Sequence, residues 1–504
     1  MFRTSVVASL ISVCIPEISS TLAPCGGMEM LHDAARREIV AYGQLLRRSI
    51  LNENDTDGDK QKLADVFFNA FTFTANSTWE IFEDDCTTFV TTGDIPQMWL
   101  RDSSVQMMTY ANNSPRLPAF TRVLESVITR QVRFFLGDPY GSAFYKSSGP
   151  NAGPNRNECP PSDFCPDCSC VACSPQCSAW TYQHDYELDS PLFMFLLQWT
   201  FWQSSPKRAS AFLSGNEEVK QSVFVLVALM RTEQNHFSES DYYYKPLPAK
   251  FAENTGMVWS FARPSDDQTE LGYNLPQNLM AASVLSKLLV MNDALWFDSE
   301  LAQALSTLKT EIEAGIKTYG VVAVSSGNLT KTMFVFETDG WGNSTAPVLD
   351  DANMPNLLWL PYLNFTDDAG FADIYENTRQ VVLSSLNLNW MENQTNPLAA
   401  NQKGVAGLGS QHESLGLRNQ WPGVECAEQC VWHLSLVMQG LTAVDREEKQ
   451  RLLDLVLDTA WHGLMHEGFS VVNTSHYNRD FFGWANALFS EWAITDFIPQ
   501  DAFT

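Results

Sequence analysis

Basic residues are scarce in this 504-residue chain: 32 Lys and Arg face 59 Asp and Glu, a net charge of −27 at pH 7. Such a surface repels phosphate backbones and anionic lipid, which excludes nucleic acid as an expected partner. Charge of either sign is thin, at 18% of residues, and this suits a neutral ligand that stacks on aromatic rings, such as a sugar. Long apolar runs are missing as well. None after the first residues approaches the ~20 needed to span a bilayer, so no membrane span is expected once the leader is removed. Strand signals are few, as at Phe334-Val335-Phe336, and no glycine-rich phosphate loop follows a strand. A fixed repeat of about 30 to 50 residues, the mark of a helical solenoid, is absent too.

What is present begins with a leader. Met1-Phe2-Arg3 runs into an apolar stretch from Val6 to Ile15 that has the length of a signal-peptide core, so residues 1–20 are expected to be removed. Cys14 would leave with them, which makes the remainder of the 11 cysteines an even number. Six of these (Cys159, Cys165, Cys168, Cys170, Cys173 and Cys177) crowd a Pro- and Ser-rich segment without apolar periodicity. A disulfide-stapled insert over 157–178 is the expectation. A zinc knot is the alternative, because Cys165-x-x-Cys168 and Cys170-x-x-Cys173 have ligand spacing. Cys426 and Cys430 lie one turn apart on an expected helix, so they pair elsewhere or stay thiols. Asn-x-Ser/Thr sequons begin at Asn54, Asn76, Asn112, Asn328, Asn343, Asn364, Asn393 and Asn473. With the leader, they point to a glycosylated protein, secreted or held in a secretory lumen.

Hydrophobic residues at 45%, with 15 Trp and 31 Phe, supply a large core. One pattern recurs: a polar loop, then Asp, Ser or Pro as a start signal, then a helix apolar nearly all round. It occurs at Arg101-Asp102-Ser103, Asp189-Ser190-Pro191, Ser265-Asp266-Asp267 through Pro276, Asp350 to Pro355, Trp421-Pro422 and Asn478-Arg479-Asp480. Intervals of about 60 to 90 residues hold two ordinary helices each, the second more polar, as at Glu300 to Thr318. The fold expected is all-α: an (α/α)6 barrel over residues 28–504, with short β pieces, its six inner helices starting at one end. That end would gather Asp102, Asp189, Asp266, Asp267, Asp350, Asp351 and Asp480 with Trp99, Trp341, Trp421, Trp484, Arg101 and Arg263. Carboxylates among tryptophans are the lining of a glycosidase cleft, where two carboxyls do the chemistry and aromatic faces hold the rings.

Thr92 to Ser103 (TGDIPQMWLRDS) resembles the hallmark of glycoside hydrolase family 125. Further stretches follow in that family's order: Tyr186 to Ser190, Phe261 to Asp267, Thr338 to Asn343, Leu349 to Pro355, Gly407 to His412, Met465 to Phe469 and Trp484 to Phe489. The resemblance covers about residues 60 to 495. It implies an inverting, exo-acting α-1,6-mannosidase on an (α/α)6 barrel that requires no metal or other cofactor. Asp189 is similar to the family's general acid and Glu467 to its general base. Trp99, Arg101, Asp102, Arg263, Asp267, Trp341, Asp351 and His412 fall in motifs that border the bound sugar. A monomer acting on a mannose-containing oligosaccharide or glycoprotein glycan is the expectation. The sequence departs from the family at the cysteine-rich insert, at Gly468, where a small hydroxyl residue is expected, and at Gln411, where proline is common.

Three other readings stand beside this one: an α-glucosidase of glucoamylase type on the same barrel, a non-catalytic glycan-binding protein, and a calcium-assisted mannosidase. The third lacks the regular ligand spacing of a dedicated calcium loop around Asp266-Asp267 and Asp350-Asp351. For Glu467, a structural role paired with His466 competes with catalysis, and Glu187 competes with Asp189 as the acid.

Overall fold

The computed structural model describes residues 25–51, 58–146, 178, 180–246, 249–326, 329–345, 349–365, 371–392, 405–410, 430–471 and 473–499. The leader, the insert at 157–178 apart from Ser178, Gln411, His412, Trp421 and Cys426 lie outside the described residues.

The chain is mostly helical. Its helices are α1 (Gly26–Leu51), α2 (Gly58–Ser77), α3 (Leu100–Ala111), α4 (Pro118–Gly137), α5 (Asp189–Ser204), α6 (Pro206–Gly215) and α7 (Glu217–Glu233). After the one-turn helix His236–Glu239 come α8 (Leu275–Leu295), α9 (Ser299–Tyr319), α10 (Ala372–Val382), α11 (His433–Thr442), α12 (Arg446–Thr459) and α13 (Gly483–Asp496).

Two kinds of helix alternate. In α3 every residue from Leu100 to Ala111 is buried, and α5, α8, α11 and α13 are apolar on nearly all sides. A helix with no polar face must be covered all round. These helices cover one another: α3 packs on α5, α5 on α8, α11 on α13, and α13 back on α3. The gap between α8 and α11 is filled by residues 357–365, where Ser283 Oγ and Lys287 Nζ of α8 donate to Leu363 O at 3.0 Å each. The expected helix here is one 3-10 turn, Leu357–Trp359, followed by turns.

The second kind is amphipathic. α1, α4, α7, α9, α10 and α12 bury one stripe and expose the other, and ion pairs link neighbours across the exposed side. Arg133 on α4 meets Glu218 on α7 at 2.9 Å, Arg231 on α7 meets Glu311 on α9, and Arg379 on α10 meets Glu448 on α12 at 2.8 Å. Lys62 on α2 meets Asp458 on α12 at 2.6 Å.

Capping varies within both kinds, and here the sequence expectation fails. Side-chain caps close α7 (Asn216), α9 (Asp298) and α12 (Asp445), but among the apolar helices only α8 has one, from Asn274. Asp102 and Asp189 are not caps; they lie inside the first turn, behind the N-cap residues Trp99 and Leu188. Short antiparallel strands do the anchoring instead. Met98–Trp99 pairs with Ala143–Phe144 and leads into α3; Tyr273–Asn274 pairs with Glu337–Thr338 and leads into α8. Cys430–Trp432 pairs with Gly468–Ser470 and leads into α11, so Cys430 is on a strand rather than the expected helix. A bridge from Gly93 to Phe482 precedes α13. Gly93 is obligatory there, with φ +132° and a Cβ that would lie 2.1 Å from Phe481 O.

Cys25 and Cys86 form a disulfide that ties the start of α1 to the loop before α3, and Cys430 is also disulfide-bonded. Among the described residues no helix is long and apolar enough to cross a membrane.

Candidate active site

The strand-to-helix joints bring the first motif, Tyr186 to Ser190 and Phe261 to Asp267 to one place. Arg101, buried on the first turn of α3, is the hub. Its Nη1 donates to Glu187 Oε2 at 2.7 Å and to Asp189 Oδ2 at 3.0 Å, and its Nη2 to Asp266 Oδ1 at 3.2 Å. Asp102 Oδ2 lies 3.9 Å from its Nε, and the guanidinium stands over the Trp484 ring at 5.5 Å. Asp189 has no exposed surface, and its Oδ1 accepts from Gln277 Nε2 at 2.6 Å. Gln277, on α8, was invisible as a site residue in sequence because its only role is this contact and one to Ala262 O.

Burial pushes the Asp189 carboxyl above the usual range, against the opposing pull of Arg101 and Gln277. Burial also lifts Asp102, to about 6, although Arg101 and Arg479 draw it down; Asp266 and Glu467 add to the rise. A carboxylic acid that holds its proton near neutral pH is what a general acid requires.

Glu467 occupies a different environment. It lies in the turn before strand Gly468–Ser470, half-buried, where Asn478 Nδ2 donates to its Oε2 at 2.6 Å and Arg479 Nη1 to its Oε1 at 3.4 Å. Arg479 is held in turn by Asp94, its Nε donating to Oδ1 at 2.7 Å, and adopts φ +57°. Asn478 and Arg479 were read in sequence only as part of a helix start. His466 does not pair with Glu467: its ring nitrogens face Arg479 O and Trp461 O, and its ring stacks on Tyr477 at 3.7 Å. At Gly468 a Cβ would meet Asn478 Oδ1, Cys430 Cβ and Trp432 Cδ1 at 3.3 Å each, so a larger residue there would press on the side chain that holds Glu467.

A second cluster adjoins. Arg263 pairs with buried Glu337 at 3.1 Å. Asp351 accepts from Asn353 N at 2.8 Å and from Ser410 Oγ at 2.9 Å, and burial raises its pKa while Asp267 adds to the rise. Asp267, half-buried, accepts from Ser265 Oγ at 2.9 Å. Asp266 and Asp267, adjacent in sequence, thus join the two clusters.

The remaining predicted residues are placed apart. Trp99 is buried with Ala143 and Tyr182, its Nε1 bonded to Gln183 Oε1 at 3.1 Å, so its face is covered. Trp341 is 59% exposed on a loop pinned by Asp339, whose Oδ1 accepts from Trp341 N and Asn343 N. Asp480 is exposed, and Asp350 is buried with its Oδ1 accepting from Leu357 N at 2.9 Å, a structural contact. Among the described residues no group of three or more His, Cys, Asp or Glu is arranged to hold a metal.

Buried carboxyls around one arginine, with another carboxyl nearby held by its own donors, suit a glycoside hydrolase, here on a mostly helical scaffold. Comparison with known proteins narrows this. The family model for metal-independent α-mannosidases, glycoside hydrolase family 125, matches residues 60–494, and the chain belongs to that family. It is 29% identical over 464 residues to the meiotically up-regulated gene 157 protein of Schizosaccharomyces pombe, covering 86% of this chain and 82% of the relative. A Streptococcus pneumoniae metal-independent α-mannosidase, solved in a non-productive complex with α-1,6-mannobiose, superposes with TM-score 0.70 at 29% identity. The match covers 87% of this chain and 94% of that one. A bacterial glucoamylase bound to acarbose shares the fold at TM-score 0.51 and 11% identity, over 88% of this chain and 56% of its own.

Proposed function

We propose that this α-mannosidase removes terminal α-1,6-linked mannose from glycans with inversion of configuration, Asp189 serving as general acid and Glu467 as general base. The observation that carries the reading is the contrast between the two carboxyls. Asp189 is fully buried at the start of an apolar helix and burial raises its pKa; Glu467 keeps some exposure, its side chain 14% exposed, and accepts from two donors, one of them a cation. A buried carboxyl that burial favours in its neutral form, together with a partly exposed carboxyl held by donors, suits the roles of acid and base. Their connection through neighbours 101 and 102 supports a shared cavity, since Arg101 touches Asp189 and Asp102 senses Glu467.

In the step proposed, Asp189 protonates the departing glycosidic oxygen as the C1–O bond breaks. Glu467 takes a proton from water as that water attacks C1 from the opposite face. Inversion requires the carboxyls to stand about 6.5–9.5 Å apart, with room for the water. Arg101 orients Asp189, while Asp102, Arg263, Asp267, Asp351 and His412 are assigned to the terminal sugar. Trp341, exposed on its loop, is assigned to the approach to it, and the covered Trp99 to the support of the strand before α3.

The apolar helices with the 357–365 segment, surrounded by the amphipathic ones, support an (α/α)6 barrel as the architecture of a single domain over 28–504. The Cys25–Cys86 disulfide supports folding in an oxidising compartment, after removal of residues 1–20 and with glycans on some sequons. The protein is assigned to a monomer. An NMR time course on α-1,6-mannobiose, its α-1,2 and α-1,3 isomers, maltose and isomaltose tests linkage, exo action and anomeric outcome together. Cleavage of maltose or isomaltose in preference to mannobiose would replace this reading with the glucosidase one. Sugar binding without turnover, unchanged in Glu467→Gln, would replace it with the glycan-binding one.

A further inference from the structure

Four carboxyls surround one cation where α3 meets α5. Glu187, Asp189 and Asp266 each accept from the Arg101 guanidinium, and Asp102 lies beside its Nε. Ionised together, they would leave a buried excess of negative charge that a low-dielectric interior does not tolerate. At least one must hold a proton. Glu187 shows which. Its Oε2 is occupied by Arg101 and by Ser190 Oγ, which donates at 2.7 Å. Its Oε1 is buried and receives no N–H or O–H donor from any described residue, so it is the oxygen a proton would occupy, and Asp266 leans on the same guanidinium through Nη2. Asp266 in turn reaches solvent, its side chain 23% exposed where those of Glu187 and Asp189 have no exposure. The loop that carries it bends sharply there, at φ +64°.

We propose that the Glu187–Asp266 pair stores the proton that recharges Asp189 between turnovers and draws it from solvent through Asp266. This rests on Asp189 being the general acid. After Asp189 has given its proton to the leaving oxygen, the Glu187 carboxyl passes its own proton to the Asp189 carboxylate. Glu187 then takes one from the Asp266 carboxyl, and Asp266 takes one from water. The proton that Glu467 removed from the attacking water returns to solvent, so protons balance over the cycle. Arg101 carries no proton in the relay, because guanidinium does not deprotonate; it holds Glu187 and Asp189 against one nitrogen. Burial lifts Glu187 well above the carboxylate range, opposed by Arg101 and helped by Asp266 and Asp189. The charged groups facing it are therefore Arg101 and Asp102 from α3, Asp189 from α5 and Asp266 from its loop.

The test compares two substrates in the full chain. α-1,6-Mannobiose needs a protonated leaving group; 2,4-dinitrophenyl α-mannoside does not. In Glu187→Gln, which keeps the shape, kcat on mannobiose should fall about 10- to 100-fold with KM unchanged. That loss should exceed the loss on the aryl mannoside at least about tenfold, and the alkaline limb of the pH profile should move to lower pH. Glu187→Asp should recover part of the rate. Asp266→Asn, at a partly exposed position where folding is less at risk, should act in the same direction. Equal losses on both substrates, no loss on either, or an unmoved alkaline limb would overturn the reservoir. If Asp189→Asn itself retains mannobiose activity, the acid assignment falls instead.

Discussion

The outer and inner helices of this molecule use charge in opposite ways. On the outside, Arg379–Glu448 and Lys62–Asp458 are partly solvated one-to-one pairs, Arg133 is shared by Glu218 and Asp85, and Asn216, Asp298 and Asp445 satisfy the N–H groups of the helices they precede. Inside, one arginine serves four carboxyls, and two of the most important helix starts, those of α3 and α5, have no side-chain cap. An outer carboxylate stabilises its own helix. An inner one is left with surplus charge and a retained proton, which the fold tolerates because the surrounding apolar helices supply the stability. The lesson is that carboxylates alike in sequence divide by layer into caps and reagents.

The sharpest way to break that division is to remove an inner reagent. Asp189→Asn and Glu467→Gln should each lower kcat on mannobiose by about 10²- to 10⁴-fold while thermal stability holds or rises, because neither leaves a buried cation without a partner. Loss of stability in step with activity would make these residues structural. Next in size is the hub. Arg101→Met leaves Glu187, Asp189 and Asp266 buried without their cation and should destabilise the protein by about 3–5 kcal/mol at neutral pH. Denaturant unfolding should show that deficit shrinking in acid, as the carboxyls take up protons.

Asp102 gives a pH signature. Its folded pKa of about 6 lies above the ordinary value, so folding favours its neutral form. The contribution is fully present below the unfolded pKa and is lost as pH rises through about 6. Asp102→Asn should therefore stabilise the protein at pH 7.5 relative to wild type by up to about 3 kcal/mol and have little effect near pH 4. A gain independent of pH would contradict the buried neutral carboxyl. The outer layer supplies the small effects. Asp445→Ala removes a cap that accepts from Glu447 N and Glu448 N and should cost about 1 kcal/mol. Lys62→Met should cost less than about 1 kcal/mol, and salt should erase the difference. A larger deficit for Lys62→Met than for Arg101→Met would collapse the contrast between the layers.

Much of this was legible in the sequence, for identifiable reasons. Pro276 and the apolar run after it gave α8, and the amphipathic pattern from Glu300 to Thr318 gave α9 within a residue at each end. TGDIPQMWLRDS carried the family because one contiguous stretch holds the strand Met98–Trp99 and the first turn of α3 with Arg101 and Asp102. Caps were misread because Asp before an apolar run has the same signature whether it bonds the helix or faces a cleft. The segment after Pro355 was read as a helix from its leucines, yet its backbone closes into turns against α8, a tertiary constraint that periodicity does not register. Gln277, Asn478 and Arg479 are ordinary polar residues in sequence. Their roles arise only when helices far apart along the chain meet, and Arg479 reaches Glu467 from a left-handed backbone conformation that no motif announces.

The proposal to be tested is that Asp189 and Glu467 act as acid and base across a sugar-sized space with room for a water. Proton NMR of the first mannose released from α-1,6-mannobiose, recorded before mutarotation, tests it most directly. The account predicts β-mannose from wild type and none from Asp189→Asn or Glu467→Gln at the same enzyme concentration. Initial release of α-mannose, or undiminished turnover in either variant, would contradict it.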